Sequence, residues 1–198
     1  MNKEKILKNL QTENLGRNLL YYEELNSTQK IAKQFAQQKA EDGTVILTDY
    51  QTAGIGTHDR KWYSNKGQNI SFTFLLYPNC NIKKLDNLTI EIAEEIVKTI
   101  YELYQIKLEI KRPNDLMINN KKVGGILTET KVSGEVVENL FVGIGINVHQ
   151  INFNKEICNI ATSLEKEYSE IEFERETIIS DILNKLEKLY INKIISKN

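Results

Sequence analysis

Two apolar runs, "VGGILTET" at 123–130 and "NLFVGIGINV" at 139–148, have the composition of buried strands, yet both carry glycines in their interiors. Glycine weakens a strand because it contributes no packing surface, so pairs such as Gly124–Gly125 and Gly143–Gly145 need a reason. A ligand or another backbone passing close to the strand is one; a β-bulge is the other, and at Gly143 and Gly145 the two readings stand level.

The remaining pattern places these runs in a single α+β unit. "GTVILTDYQ" and "NISFTFLLY" read as two further strands. "IKLEIK" alternates as another, and "DLMIN" with "VGGILTET" forms a hairpin turning at Asn119 and Asn120, residues that tolerate positive φ. Ile31, Ala32, Phe35 and Ala36 make a helical stripe after "NST", where Ser27 or Thr28 can cap. Leu88, Ile92, Ile96 and Ile100 mark a second helix, and Ile178, Ile179, Ile182, Leu186 and Leu189 a C-terminal one. Helices against a mainly antiparallel or mixed sheet are expected. With two prolines, no Gly/Ser-rich linker and no repeat in 198 residues, one domain covers the chain.

Several function classes are excluded. No run approaches the ~20 apolar residues of a membrane helix, and "MNKEKILKNL" is no secretory signal, so a cytoplasmic protein is expected. A formal charge of -1 leaves no basic footprint for nucleic acid. Cys80 and Cys158 have neither CxxC spacing nor a histidine cluster, which argues for idle thiols rather than a disulfide or zinc site.

Chemistry concentrates in four polar, glycine-bearing segments at predicted strand ends: 26–28, 51–62, 111–125 and 143–147. Strand ends meeting at one edge of the sheet would form a pocket. In "QTAGIGTHDRKW", Gly54 and Gly56 let the backbone approach a ligand, and exposed N–H groups there can nest an anion. Arg60 can clamp a phosphate and Lys61 add a point charge; a solvated surface turn is the plainer reading of the same residues. Lys111 and Lys122 flank Asp115, a residue type able to bind Mg²⁺ or hydrogen-bond a ligand.

"YYEELNSTQ", "DYQTAGIGTHDRKWYS", "KRPNDLMINNKKVGGILTE", "VGIGINV" and "ATSL", in this order and spacing, resemble the catalytic domain of biotin protein ligases from about Gly16 to Tyr190. The resemblance implies a biotin/lipoate ligase-like fold, biotin and MgATP as ligands, biotinyl-5′-AMP as intermediate, and a biotin carboxyl carrier protein lysine as acceptor. It also implies site roles. Ser27, Thr28, Gln51, Gly54, Gly56 and Gly125 would lie on the biotin side, with Lys122 the central catalytic cation touching biotin too. Arg60, Trp62, Lys111, Asn114 and Asn147 would serve the nucleotide, with Trp62 walling either it or the biotin tail, and Asp115 would serve the Mg²⁺. Lys111, Lys122 and Arg60 should therefore converge on one anionic centre.

This chain departs from the family where Gly-Arg-Gly-Arg is usual: it reads Gly54, Ile55, Gly56, Thr57. Each missing charge-assisted hydrogen bond costs ~1.5–3 kcal/mol of intermediate binding if nothing replaces it. Weaker retention of the adenylate is expected. The short stretches before Gly16 and after Tyr190 lead to an expectation of no helix-turn-helix, hence no repressor function, and no small C-terminal SH3-like domain. A homodimer through sheet edges is common among relatives but does not follow from the residues. A lipoate or octanoate ligase, or a degenerate module that binds biotin without transferring it, are the competing readings.

Overall fold

In the computed structural model, which describes residues 1–195, the chain runs α1 (Lys3–Asn9), β1 (Leu19–Tyr22), α2 (Thr28–Gln37), β2 (Val45–Thr48), β3 (Asn69–Leu76) and β4 (Cys80–Asn81). It continues through α3 (Leu88–Tyr104), β5 (Glu109–Lys111), β6 (Asp115–Ile118), β7 (Lys121–Ser133), β8 (Val136–Asn147), α4 (Leu164–Glu167) and α5 (Arg175–Tyr190). The strands form one sheet in the order β1-β2-β3-β8-β7-β6-β5, with β4 added against β8. β1 and β2 are parallel and every other pairing is antiparallel, so the sheet is mixed as expected.

Alternation along each strand divides the sheet into two unlike faces. Val45 and Leu47 of β2, Phe72 and Phe74 of β3, and Val142 and Ile144 of β8 point toward α1, α3 and α5. There they meet Ile92, Ile96 and Ile100 of α3 and Ile178, Ile179, Ile182 and Leu186 of α5 in the main core. Each such fully buried aliphatic side chain contributes about 1.5–3 kcal/mol relative to exposure. On the other face, Ile46, Leu75 and Phe141 pack under Ala32 of α2 in a much smaller cluster. α2 covers only part of that face, and the part it leaves carries the site.

Local rules explain the connections that matter for it. Asn119 (φ 48°) and Asn120 (φ 61°) supply the two left-handed residues that turn β6 into β7. Ser27 holds the N-cap position of α2 with extended backbone, but its hydroxyl makes no capping bond and is buried without a hydrogen-bond partner among the described residues. Glu187 of α5 accepts hydrogen bonds from the backbone N–H groups of Glu13, Asn14 and Leu15 at 2.7–2.8 Å, pinning the segment between α1 and β1. Cys80 and Cys158 are both free thiols of intermediate exposure, as anticipated. No described helix is long and apolar enough to cross a membrane.

Candidate active site

Cross-strand register builds the floor of a cleft on the uncovered face. Ser71, Gly145, Gly125, Asp115 and Lys111 are successive partners across β3, β8, β7, β6 and β5, and Thr73, Gly143 and Leu127 form a second row. Paired residues project to the same side, so the three glycines leave a trench between Thr73 on one flank and Asp115 on the other. The cleft encloses about 430 Å³, part of it open to solvent. It lies over the sheet face, not at an edge where strand ends meet, which corrects the expected position.

The register of β8 is regular through Gly143 and Gly145, so neither glycine marks a bulge there. Close approach is the reason for both. A Cβ on Gly145 would stand 2.6 Å from two ring carbons of Trp62, and one on Gly143 would stand 2.7 Å from Gln29 Oε1. Gly54 has the same requirement, since its Cβ would lie 2.6 Å from the Trp62 carbonyl oxygen. Gly56 does not: its nearest neighbour would be 3.6 Å away.

A bulge does occur, in the strand that carries Lys122. Met117 pairs with Lys122 but Leu116 pairs with Gly124, leaving Val123 as the extra residue in β7. Strict alternation would send Lys122 and Gly125 to opposite faces; the added residue brings both to the side of Asp115. The backbone released by the bulge is taken up elsewhere. Lys122 N–H donates to Ile160 O at 2.8 Å, and Lys122 C=O accepts from Thr162 N–H at 2.9 Å. In the cleft, Lys122 Nζ lies 2.6 Å from Asp115 Oδ1, an ion pair not aligned as a hydrogen bond, and 5.6 Å from the centre of the Trp62 ring.

The opposite end of the cleft, under α2, is polar. Gln51 Oε1 accepts from Thr28 N–H at 2.9 Å and from the Thr28 hydroxyl at 3.2 Å. Thr73, fully buried, has its hydroxyl 2.8 Å from that of Thr28 and 3.1 Å from Gln29 Oε1. Gln29 and Thr73 were not anticipated as site residues. Gln29 sits inside the quoted "NSTQ", but only the fold turns it inward, and Thr73 looks in sequence like any strand threonine.

The glycine loop closes the third side. Trp62 N–H donates to Gly54 O at 2.9 Å and Gly56 N–H to Arg60 O at 2.7 Å, folding 54–62 back on itself. Gly56 N–H is therefore occupied, whereas an anion nest needs it unengaged. Arg60 is exposed and turns onto its own loop, with Nη2 2.9 Å from Thr57 Oγ1. Ile55 and Thr57, which stand at the family's arginine positions, both line the cleft.

Of the residues singled out from sequence, Thr28, Gln51, Gly56, Trp62, Asn114, Lys122 and Gly125 line the cleft. Asn114 Nδ2 also donates to Ile126 O at 3.0 Å. Ser27 and Asn147 are buried beside the cleft without lining it, and Asn147 Nδ2 donates to Thr162 O at 2.9 Å, tying down the segment that holds Lys122. Lys111 is exposed beside Asp115 on the cleft face, so two of the three expected cations flank one carboxylate. Arg60 stays at the rim. Among the described residues no three His, Cys, Asp or Glu side chains gather into a metal cage. Asp115 stands in the cleft beside the Lys122 ammonium, so the described residues form no ready-made cage and would hold an ion only together with a ligand that brings oxygens of its own.

Residues 21–147 match the family model described as "Biotin/lipoate A/B protein ligase family". The chain is 40% identical over 183 residues to the bifunctional ligase/repressor BirA of Bacillus subtilis, a match covering 91% of this chain and 56% of that protein. It is 28% identical over 192 residues to the biotin–protein ligase of Homo sapiens, covering 91% of this chain and 26% of that one. A solved structure of the biotin protein ligase from Aquifex aeolicus in complex with biotin and ATP is similar with a TM-score of 0.74 and 32% identity, covering 89% of this chain and 72% of that chain. This chain thus spans just over half the length of the BirA protein it matches.

Proposed function

Because the chain belongs to the biotin/lipoate A/B protein ligase family, we propose that it uses ATP to convert biotin to biotinyl-5′-AMP with release of pyrophosphate, and passes the biotinyl group to a lysine of a biotin carboxyl carrier protein. The observation that carries this reading is the position of Lys122, held by a bulge between a polar pocket end and a glycine-floored trench. Support comes from the similar Aquifex aeolicus protein, which is described in complex with biotin and ATP.

In the first step a biotin carboxylate oxygen attacks the α-phosphorus and pyrophosphate leaves. Negative charge gathers around phosphorus, and a preorganised ammonium is the group that stabilises it most directly. Lys122 is that group; Lys111 stands beside Asp115, and Arg60 would have to leave its contact with Thr57 and swing in from the rim. Ser27, Thr28 and Gln51 serve the ureido ring, while Gly54 and Gly125 let ligand and loop approach the floor and Gly56 lines the cleft without a close-approach requirement. Trp62 walls the biotin chain, and Asn114 and Asn147 lie on the nucleotide side. Mg²⁺ would be carried in on the phosphates of ATP, offsetting their charge with few protein ligands, and Asp115 is the cleft carboxylate that would face it. In the second step the carrier amine, having lost a proton, attacks the biotinyl carbonyl and AMP leaves.

The amide and hydroxyl groups at the inner end favour a ureido ring over the dithiolane of lipoate, which has no N–H or C=O to pair with them. Biotin-dependent exchange of pyrophosphate into ATP tests the reading. Exchange that depends on lipoate instead, or none, would refute it.

A further inference from the structure

The hydrogen-bond polarity of the inner end is set from outside the cleft. Gln29, on the first turn of α2 and 2% exposed, donates Nε2 to Glu129 Oε2 at 2.9 Å. Glu129 comes from β7, one hundred residues away, and its other oxygen accepts from Lys33 Nζ at 2.9 Å. Lys33 follows Gln29 by four positions, so both face β7 from the same side of the helix. An ionised carboxylate only accepts, so the Gln29 amide has one orientation: NH₂ toward Glu129 and Oε1 toward Thr73 and the space above Gly143.

The second amide is oriented the same way by its own neighbours. Gln51 Oε1 is taken by both donors of Thr28, which turns Gln51 Nε2 away from them. Gln51 Nε2 lies on the side of Gly54 and is the amide donor at the inner end, while Gln29 Oε1 and Thr28 Oγ1 are the acceptors. A cyclic urea is the complement, with one carbonyl oxygen between two N–H groups.

We propose that Glu129 is a positioning residue that holds Gln29 with its oxygen toward the cleft, and that this orientation makes the site select ring N–H donors. The inference rests on the biotin reading above and deepens it by assigning part of the selectivity to a carboxylate outside the lining. Lys33 offsets the charge of Glu129, which lets the carboxylate stand against the cleft wall without importing net charge.

The test is direct binding, without turnover, of biotin and of the two cyclic carbamates in which one or the other ureido N–H is replaced by oxygen. These analogues keep the shape and lose one donor. In the wild-type protein at least one carbamate should bind about tenfold more weakly than biotin, the scale of one lost hydrogen bond with an acceptor left facing an acceptor. In Glu129→Ala that preference should shrink to about threefold or less. Gln29→Met, close in shape and without hydrogen-bonding capacity, is the second variant and should lose the same preference. An unchanged preference in both variants, or equal weakening of all three ligands, would overturn the proposal. The side-chain NH₂ of Gln29, followed by ¹⁵N NMR, should exchange slowly in the wild type and rapidly in Glu129→Ala. A wild-type protein with slow exchange but no biotin binding would overturn the biotin reading and the selectivity assigned here; fast exchange in the wild type would overturn the positioning alone.

Discussion

Lys122 meets Asp115 across β6 and β7, 2.6 Å from nitrogen to oxygen, because the extra residue Val123 returns the lysine to the face of its partner. The Lys122 side chain is about one-third exposed, so it is held in place without being sealed from a ligand. Replacing it with methionine should leave the fold intact and lower adenylate formation about 10²–10³-fold, the usual cost of removing one preorganised charge stabiliser. Pyrophosphate exchange and thermal unfolding on the same sample check both halves.

The glycine floor yields a contrast between two positions. Gly145→Ala drives a Cβ to 2.6 Å from the Trp62 ring, so the ring must leave its place. The expected cost is about 1–3 kcal/mol of stability, with loss of biotin binding. Gly56→Ala meets nothing closer than 3.6 Å and should change stability by less than about 0.5 kcal/mol. Chemical denaturation separates the two.

That contrast also shows what the sequence could convey. Gly124–Gly125 and Gly143–Gly145 are visibly out of place in strands, and the Asn119–Asn120 turn follows from local residue preference. The reason for Gly143 and Gly145 is not local, because Gln29 and Trp62 arrive from a helix and a loop far away in the chain. Nor is the bulge at Val123 readable, since it exists only relative to β6. The parallel pairing of β1 with β2 and the helix α1 also escaped local patterns; β1 is four residues long and α1 seven, too short for periodicity to speak. The pairing of Glu129 with Gln29 has no sequence signal of its own.

Ile55 and Thr57 face the cleft where arginines are usual in the family. Introducing both, as Ile55→Arg with Thr57→Arg, should slow release of biotinyl-AMP about tenfold or more, given ~1.5–3 kcal/mol per charge-assisted hydrogen bond. Equal release from the two proteins, measured by trapping free adenylate, would show that Arg60 or another group already supplies the charge.

Away from the cleft, Asp49 joins β2 to α5. Burial by itself would raise its pKa, but hydrogen bonds from the Tyr21 hydroxyl at 2.6 Å and the Arg175 guanidinium at 2.8 Å outweigh that and hold the carboxyl below its ordinary value. Burial and the same Asp49 contact push the Tyr21 phenol up to about 12. A depressed folded-state pKa means Asp49 contributes stability above the unfolded value near 3.8, and loses it as pH falls through the folded value. Asp49→Asn should therefore be less stable than wild type at neutral pH, and the gap should narrow at acid pH, as the pH falls below the unfolded value near 3.8 and through the lower folded value. Urea unfolding at the two pH values measures it.

The most direct test of the central claim is incubation with MgATP, labelled biotin and a biotin carrier domain, with the wild-type protein and with Lys122→Met side by side. The account predicts ATP-dependent label on the carrier lysine from the wild type and its loss in the variant. Wild-type protein that leaves the carrier unlabelled, or a variant that labels it at the wild-type rate, would contradict it.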